Sequence, residues 1–336
     1  MPSLSADDAL VWQQPRWIGG GIGGLRAVQA ALLGFGYIWL TFYLIPLEQW
    51  QDLYHYVSQY SFNPFYEFVQ PRTIIDYISG EFGWHFLIGM VFYQGTQFQT
   101  AFFVMSVVAA SLTIYTILTK NRSPLLLVAL LNPSMIDFFA SQVRSALAYS
   151  FVFWAMCSGR FAVALVVILF ASTVHTSMML MLIPLFAHRA LRVVNNPGKS
   201  GALRDHWGLA AMIVVALLLS SAQAYILNFL GDRRAVYGLA EYGAGFMFTL
   251  GWGLIGVAFY ALSRQRNSLP IMATAFFFAM FVIASLFGFY AHRYIPYAVP
   301  FACVALGGIE TPRSHKVTLL AIYLVFSAIY FVYWTA

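Results

Sequence analysis

Charge is what this chain has least of. Of 336 residues, 9% are Asp, Glu, Lys or Arg, while 61% are hydrophobic and mean hydropathy is +0.74. A water-soluble domain carries roughly 25% charged residues, so a soluble globular fold is excluded. Cysteine is almost absent too. Cys157 and Cys303 sit in apolar runs and match no metal or disulfide spacing, which leaves them as packing residues. The 12 acids are outnumbered by 18 Lys and Arg, but the basic residues fall in short gaps between apolar runs. That is the positive-inside pattern of a membrane protein and not a nucleic-acid patch. No P-loop occurs, which excludes an ATP-driven pump subunit. Gly19 to Gly24 reads GGGIGG, yet no strand precedes it and no β-α-β unit surrounds it. A flexible junction is expected there and not a dinucleotide site. Asp7 and Asp8 without a basic n-region argue against a removable signal peptide.

What the chain has is apolar runs, at 25–47, 98–118, 125–138, 145–157, 161–187, 209–230, 246–262, 271–290, 295–309 and 317–334. Several reach the roughly 20 residues that cross a bilayer as a helix. The run at 161–187 is long for one span and carries His175 at its centre. Read as two short helices turning near His175, it returns Arg189, Arg192, Lys199 and Arg204 to the inner side, as the Lys/Arg rule requires. About eleven crossings result, with the N-terminus inside and the C-terminus outside. Of the 18 Lys and Arg, only Arg72, Arg144, Arg233, Arg234 and Arg293 then lie outside. The expected architecture is all-α and polytopic: a cytoplasmic tail over 1–23, then one transmembrane domain over 24–336. It includes an acidic, aromatic outer loop at 48–81 and an apolar segment at about 82–94, too short to span and expected at the interface.

A titratable side chain within spanning sequence is expensive and marks a functional site by default. Arg144 opens one apolar run, and His175 interrupts another. Arg293 lies between two runs, in Tyr290-Ala-His292-Arg293-Tyr294-Ile-Pro-Tyr297. Outward arginines beside a membrane suit an anionic, lipid-linked substrate, because the guanidinium stays charged and grips phosphate oxygens in two places. The plain alternative for each is an anchor at the headgroup level or an ion pair, for instance Arg144 with Asp137. Arg233 and Arg234, in Gly231-Asp-Arg-Arg-Ala-Val-Tyr237, are weaker candidates because Asp232 can neutralise one. A neutral His175 can accept a hydroxyl proton near neutral pH, or it can simply hydrogen-bond a neighbouring helix. Asp52 and Glu81 are candidate general bases in the outer loop. Tyr54, Tyr237, Tyr290, Tyr294 and His292 stand at the same face as candidate substrate contacts, although aromatic belts occur at every membrane interface. No D-x-D motif occurs in an outer loop, nothing there has ligand spacing, and no metal or other cofactor is expected.

Five blocks resemble the EpsG branch of the Wzy-type polysaccharide polymerases, in that family's order. They are Asp52 with Tyr54 and Tyr56; the Glu81-Phe-Gly-Trp84 turn; Gln142-Val-Arg144-Ser-Ala-Leu-Ala148; Val174-His175-Thr-Ser-Met178; and His292-Arg293-Tyr-Ile-Pro-Tyr297. The first departs from the family's usual Gly-x-Asp form. The resemblance implies a C-type membrane glycosyltransferase architecture (GT-C-like) and metal-independent, inverting-type glycosyl transfer at the outer face of a bacterial inner membrane. The growing polymer on undecaprenyl pyrophosphate is the implied donor, and the terminal hydroxyl of a new lipid-linked repeat unit the acceptor. Arg144 and Arg293 are then assigned to the pyrophosphate, with Arg233 and Arg234 assisting. His175 is base or orienting residue, with Asp52 or Glu81 as alternates. A flippase and a chain-length regulator are the implied partners. Two other readings stand beside this one: a flippase or exporter of the same lipid-linked oligosaccharide, and a membrane acyltransferase that decorates polysaccharide.

Overall fold

In this computed structural model, the protein is described over residues 21–46, 49–62, 70–71, 73–121, 124–194, 202–229, 245–263, 268–287, 291–308 and 313–335, and no strand occurs among them. Among the described residues, three helices are long and apolar enough to cross a membrane: α1 (Gly21–Leu44), α5 (Phe98–Lys120) and α12 (Leu269–Leu286). The other apolar helices are shorter. The outer surface of α1 carries Leu32, Trp39, Tyr43 and Leu44, all exposed, a continuous apolar face of the kind lipid covers. Against α5 it comes unusually close. A Cβ on Gly34 would lie 2.8 Å from the Ser111 Cα, the small-residue approach by which membrane helices pack. Phe35 and Phe42 then meet the edge of Phe103 with centroids 6.0 and 5.8 Å away.

The segment expected as a loop at 48–81 is instead partly helical. It contains α2 (Gln51–Phe62) and the short α3 (Ile74–Ser79). Helix α2 forms because Leu53, Tyr56 and Tyr60 share one face and are buried. Helix α3 starts on a reciprocal cap between Thr73 and Asp76. Next comes α4 (Phe82–Tyr93), 12 residues long. The GGGIGG stretch is also not a simple junction, since Gly21–Gly24 already belong to α1.

Two further segments are broken, and the second break lies in the site. A 3-10 helix over Pro124–Leu131 is followed by α6 (Pro133–Ala140), where Pro133 opens the helix and Asn132 Oδ1 accepts from Ser134 N at 2.9 Å. Carbonyls that an α-helix would have used internally are met by neighbours: Tyr37 donates to Leu130 O at 2.8 Å and Tyr323 to Ala129 O at 2.7 Å. Such repair is what low-dielectric surroundings demand. After α7 (Val143–Cys157) come α8 (Phe161–Val174), a 3-10 turn over Thr176–Met181, and α9 (Leu182–Val194). The Phe161 ring that opens α8 meets Phe186 of α9 at 5.5 Å and the Arg189 guanidinium at 5.8 Å. The chain therefore doubles back at His175, and Arg189 returns to the end where α8 began.

The remaining helices are α10 (Ala202–Phe229), α11 (Phe246–Ala261), α13 (Ile295–Gly308) and α14 (Arg313–Thr335). Trp252 of α11 lies between Phe278 of α12 and Tyr323 of α14, at 5.8 and 5.7 Å. Helices α7 and α13 are joined by Tyr149, which stacks on Tyr297 at 5.3 Å and donates its hydroxyl to the Tyr297 carbonyl at 2.9 Å. These contacts hold α7 and the start of α13 side by side, with Arg144 at the start of one and Arg293 just before the other.

Candidate functional site

The site is built around one turn. Between α3 and α4 the backbone of Glu81 takes φ 50° and ψ 45°, the left-handed region, and it is the sole non-glycine residue with positive φ among the described residues. Such a conformation costs about 1–3 kcal/mol and persists only where the surroundings impose it. Here the carboxylate imposes it. Glu81 Oε1 lies 2.6 Å from His175 Nδ1 and accepts from the Thr176 backbone N at 3.1 Å, while Oε2 is ion-paired with Arg144. The Thr176 hydroxyl donates to Ile78 O at 3.0 Å and ties α3 to the same 3-10 turn. Gly83 lets α4 begin flush against α8, since a Cβ there would crowd Thr173 and lie 3.2 Å from its carbonyl.

Arg144 is held by more than its carboxylate. Its guanidinium lies 5.5 Å from the Tyr56 ring centre and 5.9 Å from that of Trp84, within the range of cation–π attraction. Trp84 is fixed in turn by an indole N–H donated to Tyr60 OH at 3.0 Å and by stacking on Phe102. The Arg144 and Glu81 side chains are only 12% and 10% exposed, so the pair is largely shielded from water. Asp137 is not its partner. Gln142 takes that carboxylate, donating from Nε2 to Oδ2 at 2.7 Å.

A second, shallower pair lies close by. Arg293 donates to Asp52 Oδ2 at 3.1 Å, with side chains 24% and 37% exposed, and an ion pair that open contributes little to stability. Tyr56, beside Arg144, lies within electrostatic range of both pairs. Burial raises its phenol pKa above the ordinary value, and Arg144, Asp52, Arg293 and Glu81 all act on it electrostatically. The four charged groups sum to zero, two arginines against two carboxylates, so each guanidinium comes with a carboxylate that an incoming anion must displace.

Of the other residues expected here, His292 and Tyr294 form the 3-10 turn (His292–Tyr294) that leads into α13. Burial, and then the neighbouring Arg293, push the His292 imidazole from 6.5 down to about 4. A base whose folded pKa is depressed is protonated first in the unfolded chain, so it removes stability as pH falls from 6.5 toward 4. A His292→Gln protein should therefore show a flatter unfolding-temperature profile across that window. Thermal unfolding in detergent at several pH values measures it, and an unchanged slope would contradict it. Tyr54 is exposed on α2. Arg233, Arg234, Tyr237 and Tyr290 lie outside the described residues. Thr176, Tyr56, Trp84, Ser177 and Gln142 were not singled out as site residues from the sequence. Ser177 shares a hydrogen bond of 2.8 Å with Tyr297 OH. The signal was present, since all five fall inside the blocks that carry the resemblance.

With the proton on Nδ1 directed at Glu81, the other ring nitrogen of His175 is the acceptor. The arrangement thus offers an oriented imidazole, two guanidiniums able to exchange a carboxylate for an anion, and aromatic walls. Helical throughout its described residues, with spanning-length apolar helices and a buried charged cluster of this kind, the chain is a membrane protein whose polar site is gathered from α2, α4, α7, the α8–α9 turn and the entry to α13. It belongs to the EpsG family, whose model matches residues 32–336. That membership points to a membrane protein of the polysaccharide-polymerase type. No curated protein and no solved structure matches the chain.

Proposed function

We propose that this protein is a polysaccharide polymerase. It moves a growing glycan from undecaprenyl pyrophosphate to the terminal hydroxyl of a new lipid-linked repeat unit, at the outer face of a bacterial inner membrane. The observation that carries the reading is the Glu81–His175–Arg144 triad, in which one carboxylate orients a base and holds a phosphate-binding guanidinium. Arg144 and Arg293 release their carboxylates to grip the pyrophosphate, neutralising charge as it builds on the leaving group. His175 takes the proton from the acceptor hydroxyl. The acceptor oxygen bonds to the anomeric carbon as the bond to the pyrophosphate oxygen breaks, and the lipid pyrophosphate leaves with the electron pair. On this reading no metal is needed, because the arginines supply the positive charge. The fold is a GT-C-like bundle of about eleven passes, its N-terminus inside, that works beside a flippase and a chain-length regulator. Arg233, Arg234, Tyr237 and Tyr290 are assigned to the same substrate.

Sizing of lipid-linked and surface glycans in cells lacking the protein tests this. Single repeat units should accumulate at the outer face, with the long polymer gone. Units trapped at the cytoplasmic face would make the protein a flippase, and polymer of normal length lacking ester groups would make it an acyltransferase.

A further inference from the structure

We infer that Asp137 and Gln142 form a subsite for a pair of sugar hydroxyls, set beside the two arginines; this rests on the polymerase reading above. The two residues flank the corner where α6 ends and α7 begins. That corner is tight: the Asp137 carbonyl accepts from Ser141 N at 2.7 Å and from Gln142 N at 3.2 Å. It lies within electrostatic range of the second ion pair, since Asp52 and Arg293 both act on Asp137, and Arg144 follows Gln142 by two residues on α7.

The amide of Gln142 is oriented by chemistry. A carboxylate accepts and does not donate, so the nitrogen must be the end that meets Asp137 Oδ2 at 2.7 Å. The oxygen then points elsewhere. Gln142 is 6% exposed, and its Oε1 is buried with no hydrogen-bond partner in the protein. A buried amide oxygen without a donor is unfavourable, and packing gives no reason for it. Gln142 stands at the start of α7, yet its side chain caps no backbone N–H. The position therefore presents two acceptors together: a carboxylate that takes the Gln142 and Ser141 side chains and still has lone pairs to offer, and an amide oxygen with no donor.

That chemistry separates sugar from phosphate. An anion is repelled by Asp137 and drawn to Arg144 and Arg293, whereas neighbouring hydroxyls of a pyranose donate to both acceptors at once. The sugar lies on the Asp137–Gln142 side and the pyrophosphate on the arginine side. The pair thus acts in binding and specificity, and it is the corner of the site where the identity of the sugar is read.

The experiment uses the full chain in nanodiscs and two probes, measured by calorimetry without turnover. One is the free repeat-unit oligosaccharide, stripped of lipid and pyrophosphate; the other is inorganic pyrophosphate. Gln142→Met keeps volume and removes no cap. It should weaken oligosaccharide binding about tenfold, the range expected for lost hydrogen bonds to a neutral ligand, with pyrophosphate affinity within about twofold. Asp137→Asn should do the same or more. Equal weakening of both probes, unchanged oligosaccharide binding by Gln142→Met, or no oligosaccharide binding by the wild type would each overturn the subsite. Wild-type protein that binds the oligosaccharide but never polymerises would overturn the polymerase reading and leave the subsite standing.

Discussion

A Glu81→Ala protein is expected to lose about 3–5 kcal/mol of stability, the cost of removing one member of a buried ion pair, and to make no measurable polymer. That carboxylate holds several groups in place. Arg144 is 12% exposed on its side chain and would keep its charge after losing the carboxylate it is paired with. The Thr176 amide would lose an acceptor at 3.1 Å, and His175 Nδ1 a partner at 2.6 Å. Alanine relieves nothing in exchange, because a left-handed backbone is as unfavourable for alanine as for glutamate. Glu81→Gln should fall between, since a side-chain carbonyl still accepts from Thr176 while the charge balance is gone. The double variant Glu81→Gln with Arg144→Met should regain stability, both charges having left together, but regain no activity. Tryptophan-fluorescence unfolding and a polymerisation assay on the same preparations separate the two effects. If Glu81→Ala unfolds where the wild type does, the turn is not held by this carboxylate.

The sequence announced the ingredients of this site more clearly than their connections. Arg144 and His175 stand out because charge and imidazole are costly in apolar runs, and the doubling-back at His175 follows from where Lys and Arg must lie. Glu81, though quoted in a block and considered as a base, gave no hint of its partners. It lies 94 residues from His175, and nothing local encodes that distance. The rejected alternative, Arg144 with Asp137, looked attractive through sequence proximity. The turn at Ser141 puts those residues on different helices, and Gln142 takes the acid. The two helices within 48–81 are hidden for a different reason: their polar and aromatic composition resembles a loop. The pattern was nevertheless there, in Leu53, Tyr56 and Tyr60 on one face and in the Thr73–Asp76 capping box. Gly83 and Gly34 were unreadable, because their reason is a neighbouring helix that passes too close for a Cβ.

His175→Asn distinguishes a base from a brace. The asparagine amide nitrogen occupies nearly the place of Nδ1, so it can still donate to Glu81 and keep the turn, Arg144 and Thr176 where they are. What it lacks is the second ring nitrogen. If His175 accepts the proton of the attacking hydroxyl, His175→Asn should unfold close to the wild-type temperature yet polymerise about 10²–10⁴-fold more slowly, the usual worth of a positioned general base. Its affinity for pyrophosphate should be unchanged, because both arginines stay in place. His175→Ala should lose rate and stability together, since a side chain 1% exposed would leave a void and take one of the hydrogen-bond partners from Glu81 Oε1. A His175→Asn protein that polymerises within a fewfold of wild type would show that the ring only orients Glu81. The base would then be sought among the acids themselves, beginning with Asp52, the more exposed of the two carboxylates that face an arginine.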